Sequence, residues 1–439
     1  MSALAKLCST VGYVVSGSDK SRCESMQSLS YFGVESHVGS DRLRRDLLLA
    51  DVVVYTDAIP QTDEELQEAK RLGKTLYSRA DFLSLVCRSF DNVASIAGSH
   101  GKTTCTSMVA HVFRSLQTPF TAHIGGEDSD LGNFYYTGKE YFITEACEYK
   151  KNFLKLQPNR AVVLNIDKDH MECYDGVDDL TDAFSQYCKQ ADSAFVCADD
   201  ERSKTLGSFV SFGITSPLAE YRAVDIRSDG ERYSFTVEEY GRATCRVRLK
   251  AIGRCNIYNA LAAYTLARSF GFDGKLVAKG LENFTAVKRR FEKIGTFRGA
   301  TCICDYAHHP REIISTVQTA KGICRGRLFV VFQPHTYSRT KLLMDEFENS
   351  LGNLPELMIY KTYPAREEYD EEGSALTLAK RLGALYAENA YVLRTWLKMT
   401  VREGDLVLFL GAGDLYFVAQ YLLRGYWKRG IGFFIEKTS

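Results

Sequence analysis

Gly98-Ser99-His100-Gly101-Lys102-Thr103-Thr104 is a spacing suited to phosphate chemistry, following a short apolar run at 93–97 and opening a helical pattern that reaches Leu116. Glycines let backbone N–H groups curl around phosphate oxygens, and a helix N-terminus turns its positive dipole end to the same anion. In such a loop Lys102 reaches the β- and γ-phosphates of a nucleoside triphosphate and the Thr103 hydroxyl ligates Mg2+. The loop is shorter than the usual G-x-x-x-x-G-K-[ST], because Ile96 stands at the first glycine position. An ordinary strand-to-helix turn is the competing reading. A second group of chemically able residues lies downstream: Glu145 and Glu148 close one apolar run, and Asn165, Asp169 and His170 close the next. The carboxyl ends of parallel strands open onto a ligand crevice. Glu145, Glu148, Asp169 and His170 are therefore expected near the Lys102 phosphates, offering oxygen or imidazole ligands to Mg2+; a solvated loop is the alternative for each.

The elements that must position these groups read as α/β. Apolar runs alternate with helix-like stretches, as at 51–55 followed by 64–72, a pattern of parallel sheets. A first domain is expected to end near Asp91. Strands at 141–145, 160–166 and 194–197, with a helix around 180–189, predict a second parallel sheet. Between 225 and 252 the period changes to two, with 233–237 and 244–249 flanking Tyr240-Gly241, so a hairpin is expected at the edge of the central domain. After Lys288-Arg289-Arg290-Phe291-Glu292 the alternation resumes, with strands at 301–304, 328–332, 356–360 and 406–410 predicting a third domain.

The 439 residues suit two or three domains, and 45% hydrophobic content indicates a globular chain. Its 55 basic and 55 acidic residues cancel, leaving no global electrostatic footprint for nucleic acid or membrane. No apolar run approaches the roughly 20 residues of a membrane span, and the N-terminus lacks a signal-peptide layout. A cytoplasmic protein is expected. The thirteen cysteines include no C-x-x-C pair, so reduced, mostly buried thiols are expected rather than zinc ligands or disulfides.

Taken together, the phosphate loop, Glu145-Ala146-Cys147-Glu148-Tyr149 and Asn165-Ile166-Asp167-Lys168-Asp169-His170 resemble the Mur ligases. The resemblance continues in order through Gly253-Arg254-Cys255-Asn256-Ile257-Tyr258-Asn259, Arg289-Arg290-Phe291 and Asp305-Tyr306-Ala307-His308-His309-Pro310. It ends with Phe332-Gln333-Pro334-His335-Thr336-Tyr337-Ser338-Arg339 and Gly411-Ala412-Gly413-Asp414. It implies a three-domain α/β fold. Residues 1–90 would form a Rossmann-like UDP-sugar domain, 91–292 a central P-loop ATPase-type domain, and 293–439 a C-terminal Rossmann-like domain. In relatives a strand and a Gly-rich loop precede the segment matched by Met1-Ser2-Ala3-Leu4-Ala5, so the first domain is expected to be truncated, without its first strand.

What the resemblance implies chemically is an ATP-dependent amide ligase of peptidoglycan precursor synthesis. ATP with Mg2+ would phosphorylate the lactyl carboxylate of UDP-N-acetylmuramate, and the amine of L-alanine would attack the acyl phosphate. Gly98, Ser99, His100, Gly101, Lys102, Thr103 and Thr104 would bind ATP, with Asn256, Asn259 and Arg290. Thr103, Glu145 and His170 would hold metal, and Lys102, Glu145 and His170 would act in catalysis. Asp19 and Thr56 would meet the UDP-sugar, while Tyr306, His308, His335 and Arg339 would line the amino-acid and intermediate site. Arg339 suits a carboxylate because a guanidinium fork binds it at two points; many relatives carry a second arginine where this chain has Thr336. A monomer or weak homodimer is expected. A murein-peptide ligase, a folylpolyglutamate-synthase-like ligase and an idle nucleotide-binding module that lacks the sugar pocket stand as alternatives. The tail at 425–439, with Trp427, Phe433 and Phe434, has no counterpart in these motifs.

Overall fold

Residues 1–20, 24–39, 43–230 and 232–424 are described by the computed structural model, in which the chain divides into two units, Met1–Lys288 and Arg289–Ser439. The tail at 425–439 lies outside the described residues. In the first unit, strands β1 (Ser16–Asp19) and β2 (Glu35–Val38) form one parallel pair, and β3 (Val52–Tyr55) and β4 (Thr75–Ser78) another. The apolar residues Tyr13, Val14 and Val15 precede this strand, which begins at Ser16. Tyr13 and Val14 are exposed and find no apolar face, and pairing with β2 decides the register instead.

The centre of this unit is a ten-stranded sheet. Its strands are β5 (Asn92–Ala97), β6 (Phe120–Asp128), β7 (Gly132–Tyr136), β8 (Tyr141–Glu145), β9 (Arg160–Val163), β10 (Ser193–Cys197), β11 (Val210–Gly213), β12 (Tyr221–Ser228), β13 (Tyr233–Glu239) and β14 (Arg242–Leu249). They lie in the order β14-β13-β12-β11-β10-β9-β5-β8-β6-β7. The seven strands from β12 to β6 in that order run parallel, while β7 at one edge and β13 and β14, which continue from β12 as a meander, at the other pair antiparallel. The anticipated hairpin therefore extends the sheet, turning at Tyr240 and Gly241 with φ of 49° and 77°, the signature of a tight hairpin turn. β9 stops at Val163 rather than Ile166, because the following residues leave the ladder to bind the phosphate loop.

Strand β5 shows why both faces must be covered: Ala94 and Ile96 join one buried cluster, Val93 and Ala97 the other. Helices Lys102–Ser115, Cys255–Ser269 and Gly274–Glu282 cover the first face, with Phe113, Leu261 and Leu281 fully buried. Helix Val177–Lys189 and the turn Tyr149–Lys155 cover the second, through Phe153, Phe184 and Tyr187. Tyr187 reaches through to bond the Ser95 hydroxyl beneath β5. A buried polar cluster, Ser107 and His111 bonded to Asp128, fixes the Lys102–Ser115 helix to the end of β6.

The second unit is a six-stranded sheet of β15 (Glu292–Phe297), β16 (Ala300–Asp305), β17 (Leu328–Phe332), β18 (Glu356–Tyr360), β19 (Leu385–Ala387) and β20 (Leu406–Leu410), in the order β15-β16-β20-β17-β18-β19. All neighbours except β15 and β16 are parallel. Val330 and Phe332 pack into one face and Phe329 and Val331 into the other. β20 lies between β16 and β17, so the chain reverses direction across the sheet there, the place where parallel sheets open a crevice at their carboxyl ends. The cysteines of the described residues carry no disulfide. Among those residues no helix is long and apolar enough to cross a membrane.

Helix packing behind the phosphate loop is close enough to test. A Cβ on Gly280 would sit 2.7 Å from the Val112 backbone, so Gly280→Ala must push two helices apart. Overpacking of this kind costs about 1–3 kcal/mol. A lower urea midpoint with an unchanged m-value is the expected result.

Candidate active site

Between β5 and helix Lys102–Ser115 the chain turns on two glycines. Gly98 has φ +138° and Gly101 φ +86°, and a Cβ on Gly101 would lie 2.6 Å from Asn259 Oδ1. A side chain there is excluded by conformation and by space. Asn165 clamps the loop from β9: its Oδ1 accepts the His100 N–H (2.8 Å), its Nδ2 donates to the His100 carbonyl (3.0 Å), and its carbonyl accepts the Ser99 N–H (3.1 Å). His100 Nε2 lies 3.2 Å from Asp167 Oδ2, and Ser99 Oγ accepts the Asp167 N–H at 2.8 Å. Gly101, the N-cap, brings no side chain to the first turn of the helix. The N–H groups at the head of that helix, where Thr103 and Thr104 are buried, present a donor-rich dipole end.

Lys102 does not reach into open space. Its Nζ donates to both Glu148 oxygens (2.9 Å each) and to the Gly98 carbonyl (2.5 Å). Glu148 is only 1% exposed. Burial alone would lower the Lys102 pKa, but attraction to Glu148 outweighs it and holds the ammonium well above its usual value. Glu145, at the end of β8, accepts the Gly125 N–H at 2.6 Å. A Cβ on Gly125 would strike that carboxylate at 2.6 Å, and one on Gly126 would come 2.9 Å from Thr103 Cγ2. Gly125 and Gly126 thus let Glu145 and Thr103 approach the same stretch of β6, a pairing of hard oxygen donors.

His170, with φ +56°, groups with Glu148 and Asp169, their ligand atoms lying within 4.8 Å of one another. Its ring also meets Tyr149 edge-on at 5.1 Å. The expected convergence thus splits: Glu148 joins Lys102, Asp169 and His170, whereas Glu145, at the end of β8, is not in that group and faces Gly125 of β6. Asn256 and Asn259 share one face of helix Cys255–Ser269, linked by a 3.1 Å bond from Asn259 Nδ2 to Asn256 Oδ1. The helix is capped at Arg254, so Asn256 is inside it rather than its cap. In the pairs of the first unit, Asp19 ends the exposed strand β1, and Thr56 Oγ1 accepts the Ala58 N–H at 3.3 Å in the turn after β3.

In the second unit the residues after β16 and β17 come together. The Arg290 guanidinium lies 4.8 Å from the Tyr306 ring centroid. Tyr306 meets His308 at 5.3 Å, His308 meets His335 at 5.7 Å, and His335 Nδ1 is 3.2 Å from Arg339 Nη1. Burial first, then the nearby charges of His308 and Arg339, lowers the His335 pKa to about 4, so its ring is neutral at pH 7. Burial pushes the Asp305 carboxyl up to about 6 against the pull of Arg290, although it accepts the Phe291 and Ala307 N–H groups at 2.7 and 2.8 Å. Thr336, at φ +67°, caps helix Tyr337–Leu342.

Several site residues escaped the sequence reading. Arg289 also stacks on Tyr306 at 4.8 Å and donates to the Gly411 and Gly413 carbonyls. Glu312 accepts the His308 and His309 N–H groups at 3.0 and 3.3 Å. Its signal was present: a glutamate three residues after a helix N-cap is half of a capping box. Gly125-Gly126 within a strand is likewise a signal of close approach.

Strand, glycine loop and helix with Lys102 and Thr103 at its head define a phosphate-loop α/β protein, completed by a second α/β unit. The sequence matches the Mur ligase family, catalytic domain at 1–91, the Mur ligase middle domain at 96–267 and the Mur ligase, glutamate ligase domain at 289–413. The chain belongs to the Mur ligase family, whose members are ATP-dependent. It is 37% identical to the UDP-N-acetylmuramate–L-alanine ligase of Clostridium beijerinckii, over 97% of this chain and 95% of that one. The protein of the same name from Caldicellulosiruptor saccharolyticus is 33% identical over 94% of each. The crystal structure of UDP-N-acetylmuramate-alanine ligase from Thermotoga maritima superposes with a TM-score of 0.83 at 28% identity, covering 97% of this chain and 96% of that one. A murein peptide ligase from Psychrobacter arcticus, TM-score 0.74 at 21% identity over 97% and 96%, shares the fold.

Two consequences can be measured. Lys102→Ala strands a buried Glu148 carboxylate, a loss of about 3–5 kcal/mol, and adding Glu148→Gln should return most of it in a chemical-denaturation double-mutant cycle. Asp305 has a folded pKa of about 6 against an ordinary 3.8. Its contribution is therefore fully present below about pH 4 and lost as the pH rises through about 6. Relative to wild type, Asp305→Asn should gain about 1–3 kcal/mol between about pH 4 and pH 7; a pH-independent difference in urea midpoints contradicts the assignment.

Proposed function

We propose that this chain is the ATP-dependent amide ligase that joins L-alanine to the lactyl carboxylate of UDP-N-acetylmuramate. The observation that carries the reading is near-full-length similarity to relatives bearing that activity in their names. Residues 1–90 receive the UDP-sugar, with Asp19 and Thr56 beside it; 91–292 take ATP; 293–439 take the amino acid.

Gly98, Ser99, His100, Gly101 and Thr104 surround the ATP phosphates, a task for backbone N–H groups and a helix dipole. Lys102 transfers its charge from Glu148 to the γ-phosphate and steadies the transferred phosphoryl group, where positioning and electrostatics supply most of the catalysis. Thr103 and Glu145 would hold Mg2+, which neutralises charge between the phosphates, and their hard oxygens suit that ion. His170 holds metal or orients the lactyl carboxylate, according to its protonation. Asn256, Asn259 and Arg290 bind the nucleoside, the amides through paired donor and acceptor. Arg339 forks the carboxylate of L-alanine beside Tyr306, His308 and His335.

Phosphate release from ATP by this chain should require UDP-N-acetylmuramate and L-alanine together. Release that is indifferent to either, or formation of no amide product, rejects the reading. Lys102→Ala should abolish turnover, and His170→Ala should slow acyl-phosphate formation more than it weakens ATP binding.

A further inference from the structure

The second unit presents two imidazoles, His308 and His335, and the structure distinguishes their chemistry. His335 Nδ1 faces the Arg339 Nη1 donor at 3.2 Å, which engages its lone pair. Its depressed pKa of about 4 makes it a weak base. His308 is arranged the opposite way. Its Nδ1 lies 2.9 Å from the Tyr306 carbonyl and 3.3 Å from Glu312 Oε2. Both partners are acceptors, so Nδ1 carries the proton and Nε2 is the basic nitrogen. Glu312 is itself pinned at the start of helix Pro310–Ile323 by the two N–H groups of His308 and His309. A carboxylate behind an imidazole fixes its tautomer and stabilises the imidazolium that forms when the far nitrogen takes a proton.

We propose that His308 is the general base for the amine in the second half-reaction, and that Glu312 is the positioning residue that orients it. This rests on the ligase reading above. An amino acid arrives as its ammonium form, which has no lone pair for attack. Its amine is one carbon from its carboxylate, so a carboxylate held by Arg339 places the ammonium among the rings beside that arginine. His308 Nε2 accepts one ammonium proton. The freed nitrogen lone pair forms the N–C bond at the acyl carbon; the C–O bond to phosphate then breaks, and the departing phosphate carries away the second nitrogen proton. The surrounding charges favour this proton loss. Arg289 and Arg290 both stack on Tyr306, Arg290 lies 3.9 Å from Glu312, and Arg339 stands beyond the neutral His335. Asp305 and Glu312 face them from β16 and its following helix, and Glu367 pins the Tyr337 and Ser338 N–H groups at 2.7 and 2.9 Å.

The test compares two nucleophiles with the full chain, ATP, Mg2+ and UDP-N-acetylmuramate. L-alanine needs a base at neutral pH, whereas hydroxylamine is already unprotonated and traps the acyl phosphate as a hydroxamate. His308→Gln should lower L-alanine ligation by about 100-fold or more, the usual yield of general-base catalysis, while hydroxamate formation changes less than about threefold on the same basis. Raising the pH toward the range of the free amine should restore much of the variant's ligation. Glu312→Gln should show the same selectivity at about a tenfold loss, with its pH–rate profile displaced upward. Equal loss with both nucleophiles, or L-alanine ligation in His308→Gln at the wild-type rate and pH profile, overturns the proposal. Wild-type chain that yields neither product overturns the ligase reading and this inference with it.

Discussion

A half-buried ammonium and a buried carboxylate, Lys102 and Glu148, are the interaction on which the first unit turns. Neither group could be left there alone, since an uncompensated buried charge costs several kcal/mol. The pair demands that β5 and β8 lie side by side, which their parallel register from Asn92 opposite Tyr141 to Ile96 opposite Glu145 provides. It also demands that the helix begin abruptly enough for the lysine to fold back onto the Gly98 carbonyl, which the left-handed Gly101 permits. The backbone after Glu148 is bent to suit. Lys150 and Lys151 both adopt left-handed conformations, at about 1–3 kcal/mol each. Bonds from Tyr174 Oη and the Lys151 N–H to the Glu148 carbonyl, and the Lys151–Asp179 ion pair, offset that strain.

Strands whose residues are apolar on both faces were readable from sequence, because in a covered parallel sheet there is nothing to alternate with. β5, β8, β10, β17, β18 and β20 are of this kind, and their expected limits differ from the observed ones by a residue or less. β6 was not readable. It contains Thr121, His123, Gly125, Gly126 and Asp128, yet it lies inside the sheet. Its polar groups are tolerated because each has a partner: Thr121 Oγ1 donates to the Gly138 carbonyl and His123 Nδ1 meets Thr144 Oγ1. Such pairings come from strands adjacent in space, and a linear pattern does not reveal them.

The candidate site was legible where chemistry is written into residue type, and less so where it depends on support. Lys102, Glu145 and His170 stood out as unusual groups at strand ends, while Tyr306, His308, His335 and Arg339 were reached through the resemblance to the Mur ligases. The glycines of β6 and the carboxylate of Glu312 did not, since a glycine inside a strand and a glutamate in a first helical turn are ordinary features until a neighbour gives them a task. Arg289 was overshadowed by Arg290, although both cations lie at the same distance from one tyrosine ring.

The two units handle charge in opposite ways, and under the proposed ligase reading that difference follows from what each must bind. Around the phosphate loop the lysine is already neutralised by Glu148, so an arriving anion exchanges one ion pair for another instead of meeting a bare cation. That lowers the cost of keeping the site buried before it is filled. The second unit instead keeps Arg289, Arg290 and Arg339 next to aromatic rings, with His335 held neutral by burial and by Arg339 beside it. Guanidinium groups are weakly hydrated and stack on rings at little cost, so this site can stay cationic without a carboxylate for every charge. Under the proposed ligase reading, a zwitterionic amino acid placed there would have its carboxylate held and its ammonium acidified by the same field. Under that reading, electrostatics of this kind favour binding and nucleophile formation together, with Glu312 shared between the His308 and His309 N–H groups, the His308 ring and Arg290.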